Sequence, residues 1–478
     1  MPSDVATPRP VFIFILAAAL GGCSLTGDGF APVQDVALRE IGAGARIIAT
    51  QEEAEEARAA TQEWLRRPLT AESAARIALI NNRALQAAYN ELGIAQAALL
   101  RASLPPNPRI GWSRTTGVGE LEIEREILLG LFGLVTLPAR REIAAENMRA
   151  AQMRAAEATM RTALEARRQY FRAVGAAERV AALREIKVLT DATADLAKKM
   201  GETGGMNKLD QAREYALAAE TDNLLARARL DERLERERLT RALGLWGEQT
   251  ALKLPARLPS LPAAARAAPD VEAQAVARRV DLQAARHDLA ALAASLGLTQ
   301  ATRLVSDVEL IGARARHSET GGDGARESAR TTKIGLELEI PLFDFGAARA
   351  QDAEQRYMRA ANLLADKAVR VRSEAREAYA AYRGMHQIAR HHQMRILPLR
   401  QTIQEESLLH YSGMLIDVTD LINDTKAQIA ARMQAIDAKR DFWIAENEMR
   451  AALAGGVGGA AISGGGGAPP AASGAAGH

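Results

Sequence analysis

The chain has 478 residues and one cysteine, Cys23. A single thiol forms no intrachain disulfide, so no covalent staple holds this fold. Aromatic residues make up 4% of the chain, too few to fill the core of a large globular domain. An excess of one charge is also missing. With 61 basic and 59 acidic residues the formal charge is +2, which supplies no global field for nucleic acid. Catalytic signatures are absent too: the sequence has no H-E-x-x-H, no G-x-G-x-x-G after a strand and no P-loop, so nothing in it points to an enzyme. Long apolar runs are scarce. The run from Val11 to Leu20 spans about ten residues, too short for a transmembrane helix but suited to the apolar core of a signal peptide.

Alanine is abundant and, with Leu, Glu and Arg, gives the composition of long helices packed closely through small side chains. At the N-terminus, Leu20-Gly21-Gly22-Cys23 resembles the bacterial lipoprotein signal. That resemblance makes residues 1–22 a cleaved signal, Cys23 the lipidated (palmitate-bearing) first residue of the mature chain, and Ser24 an outer-membrane sorting residue. An N-terminal segment follows over 23–67. Residues 454–478, rich in Gly, Ala and Pro, are expected to be a disordered tail.

The interior is written twice. "RALQAAYNELGIAQAALL" (83–100) aligns with "VDLQAARHDLAALAASLG" (280–297), and "LFGLVTLPARREIAAENMRAAQ" (131–152) parallels "LFDFGAARAQDAEQRYMRAAN" (342–362). Each half reads as helix, extended pair, long helix, turn, long helix. The first repeat is placed at 68–247, with strands about 108–127 and long helices about 139–245. The second is placed at 271–453, with strands about 307–340 and helices about 347–452. Between them, Pro255, Pro259, Pro262 and Pro269 exclude a helix and mark 248–270 as a crossover linker. From Ala139 to Met200 the only glycine is Gly175 and there is no proline. Met153, Met160, Val174, Ala181 and Val188 share one seven-residue series there, with Ala156, Ala163, Tyr170 and Ala177 on its companion, a coiled-coil seam broken by Arg167 and Arg184. Gly384 and Pro398 should kink or divide the matching helix of the second half.

The extended pairs alternate with period two. Ile334, Leu336, Leu338 and Ile340 interleave with Lys333, Gly335, Glu337 and Glu339, and Leu121, Ile123 and Ile127 interleave with Glu122, Glu124 and Glu126. Residues 108–117 and 307–317 supply a preceding strand in each half, giving two hairpins. In an exported protein without a globular core, apolar Ile334, Leu336, Leu338 and Ile340 are expected to face lipid and Glu337, Glu339, Glu122 and Glu124 a lumen. Four strands cannot close a barrel alone, so several chains would share one wall.

Taken in order, "LTAESAARIALINNRALQAAY", "ASLPPNP", "IPLFDFGAARA" and "YSGMLIDVTDL" resemble the TolC-type outer-membrane efflux factors over about residues 68–453. The fold this implies is mostly α with a small β membrane part. Long antiparallel coiled-coil hairpins form a periplasmic α-barrel, and four strands per chain join a trimeric twelve-stranded outer-membrane β-barrel. The resemblance implies a homotrimer that works with a periplasmic adaptor and an inner-membrane pump as the exit duct of a tripartite efflux or type I secretion system, without a cofactor. It also implies a periplasmic gate or selectivity ring at Asp420 and Asp417, with Asp210 in "GGMNKLD" as the first-half counterpart. Read from the residues alone, Asp417 or Thr419 could instead cap the returning helix. Some members of the family export copper or silver, but Met385, His386, His391, His392 and Met394 are spaced as a polar stripe on an exposed helix rather than as a metal site. The alternative to a duct is an exported coiled-coil scaffold or adaptor lipoprotein without a pore.

Overall fold

The computed structural model describes residues 29–117, 120–320, 326–413 and 415–455. Cys23, the signal sequence and the tail beyond Gly455 lie outside the described residues.

The N-terminal segment is helical, with α1 (Ala31–Ile41) and α2 (Gln51–Leu65). Thr50 and Glu53 close a capping box at the start of α2, each side chain bonding the other residue's backbone N–H. α1 buries Val33, Val36 and Ala37 in a cluster with Leu85, Tyr89 and Met160, so this segment is part of the core.

The duplication appears in the helices as two matching breaks. α3 (Ala71–Asn81) and α4 (Arg83–Ser103) are divided at Asn82, and α8 (Val271–Arg278) and α9 (Val280–Ala301) at Arg279. Both break residues are extended, with ψ 109° and 117°. Asn82 caps the following helix by accepting from the Leu85 N–H at 3.1 Å. Arg279 instead sends its guanidinium to Asp281, with bonds of 3.0 and 2.9 Å, and to Glu374.

The rods are α6 (Leu137–Glu202), α7 (Lys208–Leu243), α10 (Ala347–His391), α11 (Leu397–Ser412) and α12 (Val418–Ala454), the short α5 (Leu131–Val135) lying just before α6. With 66 residues, α6 is about 100 Å long at ~1.5 Å per residue. The alanines allow helices to approach closely: Ala156, Ala163, Ala166 and Ala173 are essentially inaccessible. The expected seam holds from Ala156 to Val174 and then fails, because Ala181 is exposed, Val188 is 68% exposed, and Val180, Leu183, Ile186 and Thr190 are buried instead. A strict seven-residue series rotates by about 20° per heptad on a straight α-helix, so over the five heptads from Met153 to Val188 it leaves the contact face. Arg167 does not open the seam. It is buried there, 3.7 Å from Glu72.

The second-half rod divides at Pro398 and passes through Gly384 uninterrupted. A π-helical turn, His392–Ile396, absorbs the break, and the Leu397 N–H reaches back to the His392 carbonyl. Proline removes a donor and crowds the preceding turn, which a widened turn accommodates. His386 is not on an exposed stripe. It is buried against Phe442, and its Nε2 lies 2.9 Å from the Pro262 carbonyl.

The proline-rich stretch runs without a helix from Ala251 to Asp270 and is tied to the rods. The Leu258 N–H donates to Glu178, the Arg266 N–H to the Tyr382 hydroxyl, and Trp443 Nε1 to the Pro259 carbonyl.

β1 (Arg109–Thr116), β2 (Glu120–Gly130), β3 (Asp307–Thr320) and β4 (Arg326–Glu339) form one antiparallel sheet in the order β1-β2-β3-β4. The two hairpins expected from sequence are therefore zipped together through β2 and β3. No helix among the described residues is long and apolar enough to cross a membrane.

Candidate functional site

Two regions carry the residues singled out by sequence, the sheet and the tips of the rods. Partners across an antiparallel ladder point to the same side, so the register assigns every strand residue to a face. On one face Leu336 lies opposite Leu310, which lies opposite Leu129; one row on, Ile334, Gly312, Ile127 and Ile110 stand side by side. Ile334, Leu336 and Leu338 are half to four-fifths exposed in the single chain. Ile340 is exposed as well and lies one residue past the end of β4. The other face carries Glu337 opposite Glu309, Glu339 opposite Asp307, and Glu122, Glu124 and Glu126 along β2. Arg109, on the same face, pairs with Glu309. The sheet thus keeps the Glu side chains off the Ile/Leu-rich face, as the alternation indicates, although Leu128 and Ile311 stand opposite each other on the carboxylate face, while the outer edges of β1 and β4 have no strand partner among the described residues.

The junction from β4 to α10 is built by "PLFDFG". The Phe345 N–H donates to the Pro341 carbonyl at 2.9 Å, and Asp344 accepts from Gly346 N at 2.9 Å and Ala348 N at 3.2 Å. Gly346 has φ +69°, and a Cβ there would meet the Arg303 carbonyl oxygen at 2.3 Å. Only glycine meets both demands.

At the tips the repeat extends to single hydrogen bonds. Asn207 caps α7 by accepting from the Asp210 N–H at 2.9 Å, and Asp417 caps α12 by accepting from the Asp420 N–H at 2.8 Å. Asp417 is therefore an N-cap, the reading left open by sequence. Asp210 is held by Asn207 Nδ2 at 2.6 Å and by Arg213 at 3.0 Å. Asp420 is exposed, and no ion pair engages it or Asp417 among the described residues. Arg213 also donates to the Thr419 hydroxyl at 2.7 Å, joining the two tips. Behind them Leu217, Val418 and Ile422 form a small apolar cluster with Met206 and Tyr411. Glu214 is buried beside it, and burial pushes its carboxyl above the usual range, an effect that the nearby Thr193 side chain opposes only in part. Sequence reasoning missed both Arg213 and Glu214. The Asp-x-x-Arg spacing of Asp210 and Arg213 is a helical i, i+3 pair and could have been found.

Residues 272–455 match the family described as "Outer membrane efflux protein". Among solved structures, the chain is similar to CusC at 18% identity and TM-score 0.68, covering 81% of this chain and 92% of that one. OprN, an outer-membrane channel, aligns at 17% identity and TM-score 0.67 over 95% of this chain and 99% of that one. VceC, an outer membrane protein of Vibrio cholerae, aligns at 15% identity and TM-score 0.66 over 81% and 96%. No curated protein matches the sequence. The chain has the fold of the TolC-type outer-membrane efflux channels, and its second half carries the sequence signature of that family.

Proposed function

We propose that this chain is one protomer of a homotrimeric exit duct in the outer membrane, serving a tripartite efflux or type I secretion system. The observation that carries this reading is the four-stranded sheet, with both edges unpaired among the described residues, Ile and Leu exposed on one face, and carboxylates on the other. An open edge in lipid leaves backbone groups unsatisfied at several kcal/mol each, so the sheet is stable there only when β1 of one copy pairs with β4 of the next. Three copies give twelve strands. In that assembly Ile334, Leu336, Leu338 and Ile340 contact lipid, while Glu122, Glu124, Glu337 and Glu339 line a lumen that favours cations.

The rods extend into the periplasm as a tunnel ending at the tips, where a periplasmic adaptor and inner-membrane pump dock. Asp420 and Asp417, with Asp210, ring the entrance, and up to six carboxylates from Asp417 and Asp420 attract cations there. Cys23 carries a lipid that anchors the mature chain beside the barrel. Cargo moves passively, without chemistry by this chain. The scaffold alternative gains nothing from an exposed Ile/Leu face. Extraction tests the choice: the duct requires detergent and runs as a trimer by light scattering, whereas a detergent-free monomer would establish the scaffold.

A further inference from the structure

The face that carries Ile334, Leu336 and Leu338 is not apolar throughout. Following the register toward the hairpin ends away from the rods, the next row is Trp112, Arg125, Arg314 and Thr332, and the one after it is Arg114, Ile123, Arg316 and Arg330. Five arginines occupy two adjacent rows, and two pairs are directly opposed, Arg125 with Arg314 and Arg316 with Arg330. All five are exposed, and none has a carboxylate partner among the described residues. The glutamates of the same strands point to the other face. Like charges directly opposite across a ladder are destabilising. A free arginine within the hydrocarbon costs about 2–4 kcal/mol at midplane and about 0–1 near the interface.

Their height agrees with an interfacial position. Ten residues separate Ile340 from Arg330, about 34 Å of strand at ~3.4 Å per residue, or about 25 Å along the normal at the usual tilt, the height of a barrel's apolar band. Arg316 and Arg330 then lie at its outer edge. Arg125 and Arg314 are one row deeper, within reach of the edge through their long stems.

We infer that these five arginines bind the phosphates of a phosphorylated glycolipid in the outer leaflet, an inference that rests on the lipid-facing assignment above. Guanidinium groups hold phosphate oxygens bidentately, and phosphates placed between opposed arginines turn repulsion into attraction. The apolar rows beneath would hold the acyl chains of the same lipid. The test uses the purified trimer in neutral detergent, exposed to bisphosphorylated lipid A or to the same lipid enzymatically dephosphorylated, with retained lipid read by native mass spectrometry. The phosphorylated form should be retained at least about tenfold better, less so as salt rises, and it should resist displacement by millimolar inorganic phosphate. The triple variant R314Q/R316Q/R330Q should lose that preference, and Lys333→Gln, on the opposite face, should keep it. Equal retention of the two lipids, an unchanged triple variant, or displacement by inorganic phosphate would each overturn the inference. The lipid comparison on the unaltered protein needs no variant to fold. If no detergent-requiring trimer exists, it is the duct reading that fails instead.

Discussion

Leu336→Arg places a charge in the middle of the exposed apolar rows, between Leu338 and Ile334 on its own strand and opposite Leu310 on the next. Near midplane this costs about 2–4 kcal/mol per site, and in the proposed trimer three-fold symmetry would multiply it to roughly 6–12 kcal/mol, enough to remove most assembled barrel. Two controls separate depth from chemistry. Glu337→Arg, one residue on and pointing to the other face, should leave assembly nearly intact. Thr332→Arg, on the same face but near the interface, should cost about 0–1 kcal/mol for its depth and up to ~1 kcal/mol more for facing Arg314 directly, still well below the midplane cost. The assay is the fraction of heat-modifiable trimer in detergent-extracted membranes at matched expression. Equal loss in Leu336→Arg and Glu337→Arg would refute the facing of the sheet. Equal loss in Leu336→Arg and Thr332→Arg would refute the depth assignment.

Other consequences follow from single residues. Asp417→Ala removes the α12 cap and should lower stability by about 1 kcal/mol in thermal unfolding, with Asn207→Ala behaving alike at the first tip. Burial pushes the Asp281 carboxyl up, but hydrogen bonds and charge from Arg279, with Lys367 beside them, outweigh it and hold the group below the ordinary carboxylate range. This stabilisation is complete above that range and is lost as pH falls through the lowered value. Asp281→Ala, which leaves buried Arg279 with Glu374 as its remaining carboxylate, should cost about 1.5–3 kcal/mol at neutral pH and flatten the acid limb of the stability profile. Cys23→Ser should abolish lipid labelling of the mature chain and weaken sorting while leaving barrel assembly possible, and a free thiol at position 23 on mass spectrometry would remove the anchor.

The duplicated helices, the strand alternation and the proline-rich crossing could be read from sequence because each is a local pattern. The pairing of β2 with β3 could not, since nothing local links residues nearly two hundred positions apart. The same gap concealed the arginine rows. In "ARARH" of β3, Arg314 and Arg316 alternate with alanines and read as an ordinary polar face; alternation along β3 sets them on the side of Leu310, but only the register shows that Ile334 and Leu336 of β4 share that side. The helical seam was legible for about three heptads, until the mismatch between 3.5 and 3.6 residues per turn carried it off the contact face. The packing of α1 against Tyr89 had no sequence signal, because a short amphipathic helix does not name its partner. At the tips, aspartates near a turn were visible, but separating a cap from a free carboxylate required the backbone: Asp417 accepts a hydrogen bond from the Asp420 N–H, while no ion pair engages the Asp420 carboxylate among the described residues.

Single-channel recording of the purified trimer in a planar bilayer tests the duct most directly. A duct should give a steady conductance with cation selectivity, in which Asp417→Ala combined with Asp420→Ala reduces both the selectivity and the block by divalent cations, while Glu337→Gln reduces selectivity alone. A purified chain that forms no conducting trimer would contradict it, and so would a conductance with anion selectivity that neither set of substitutions changes.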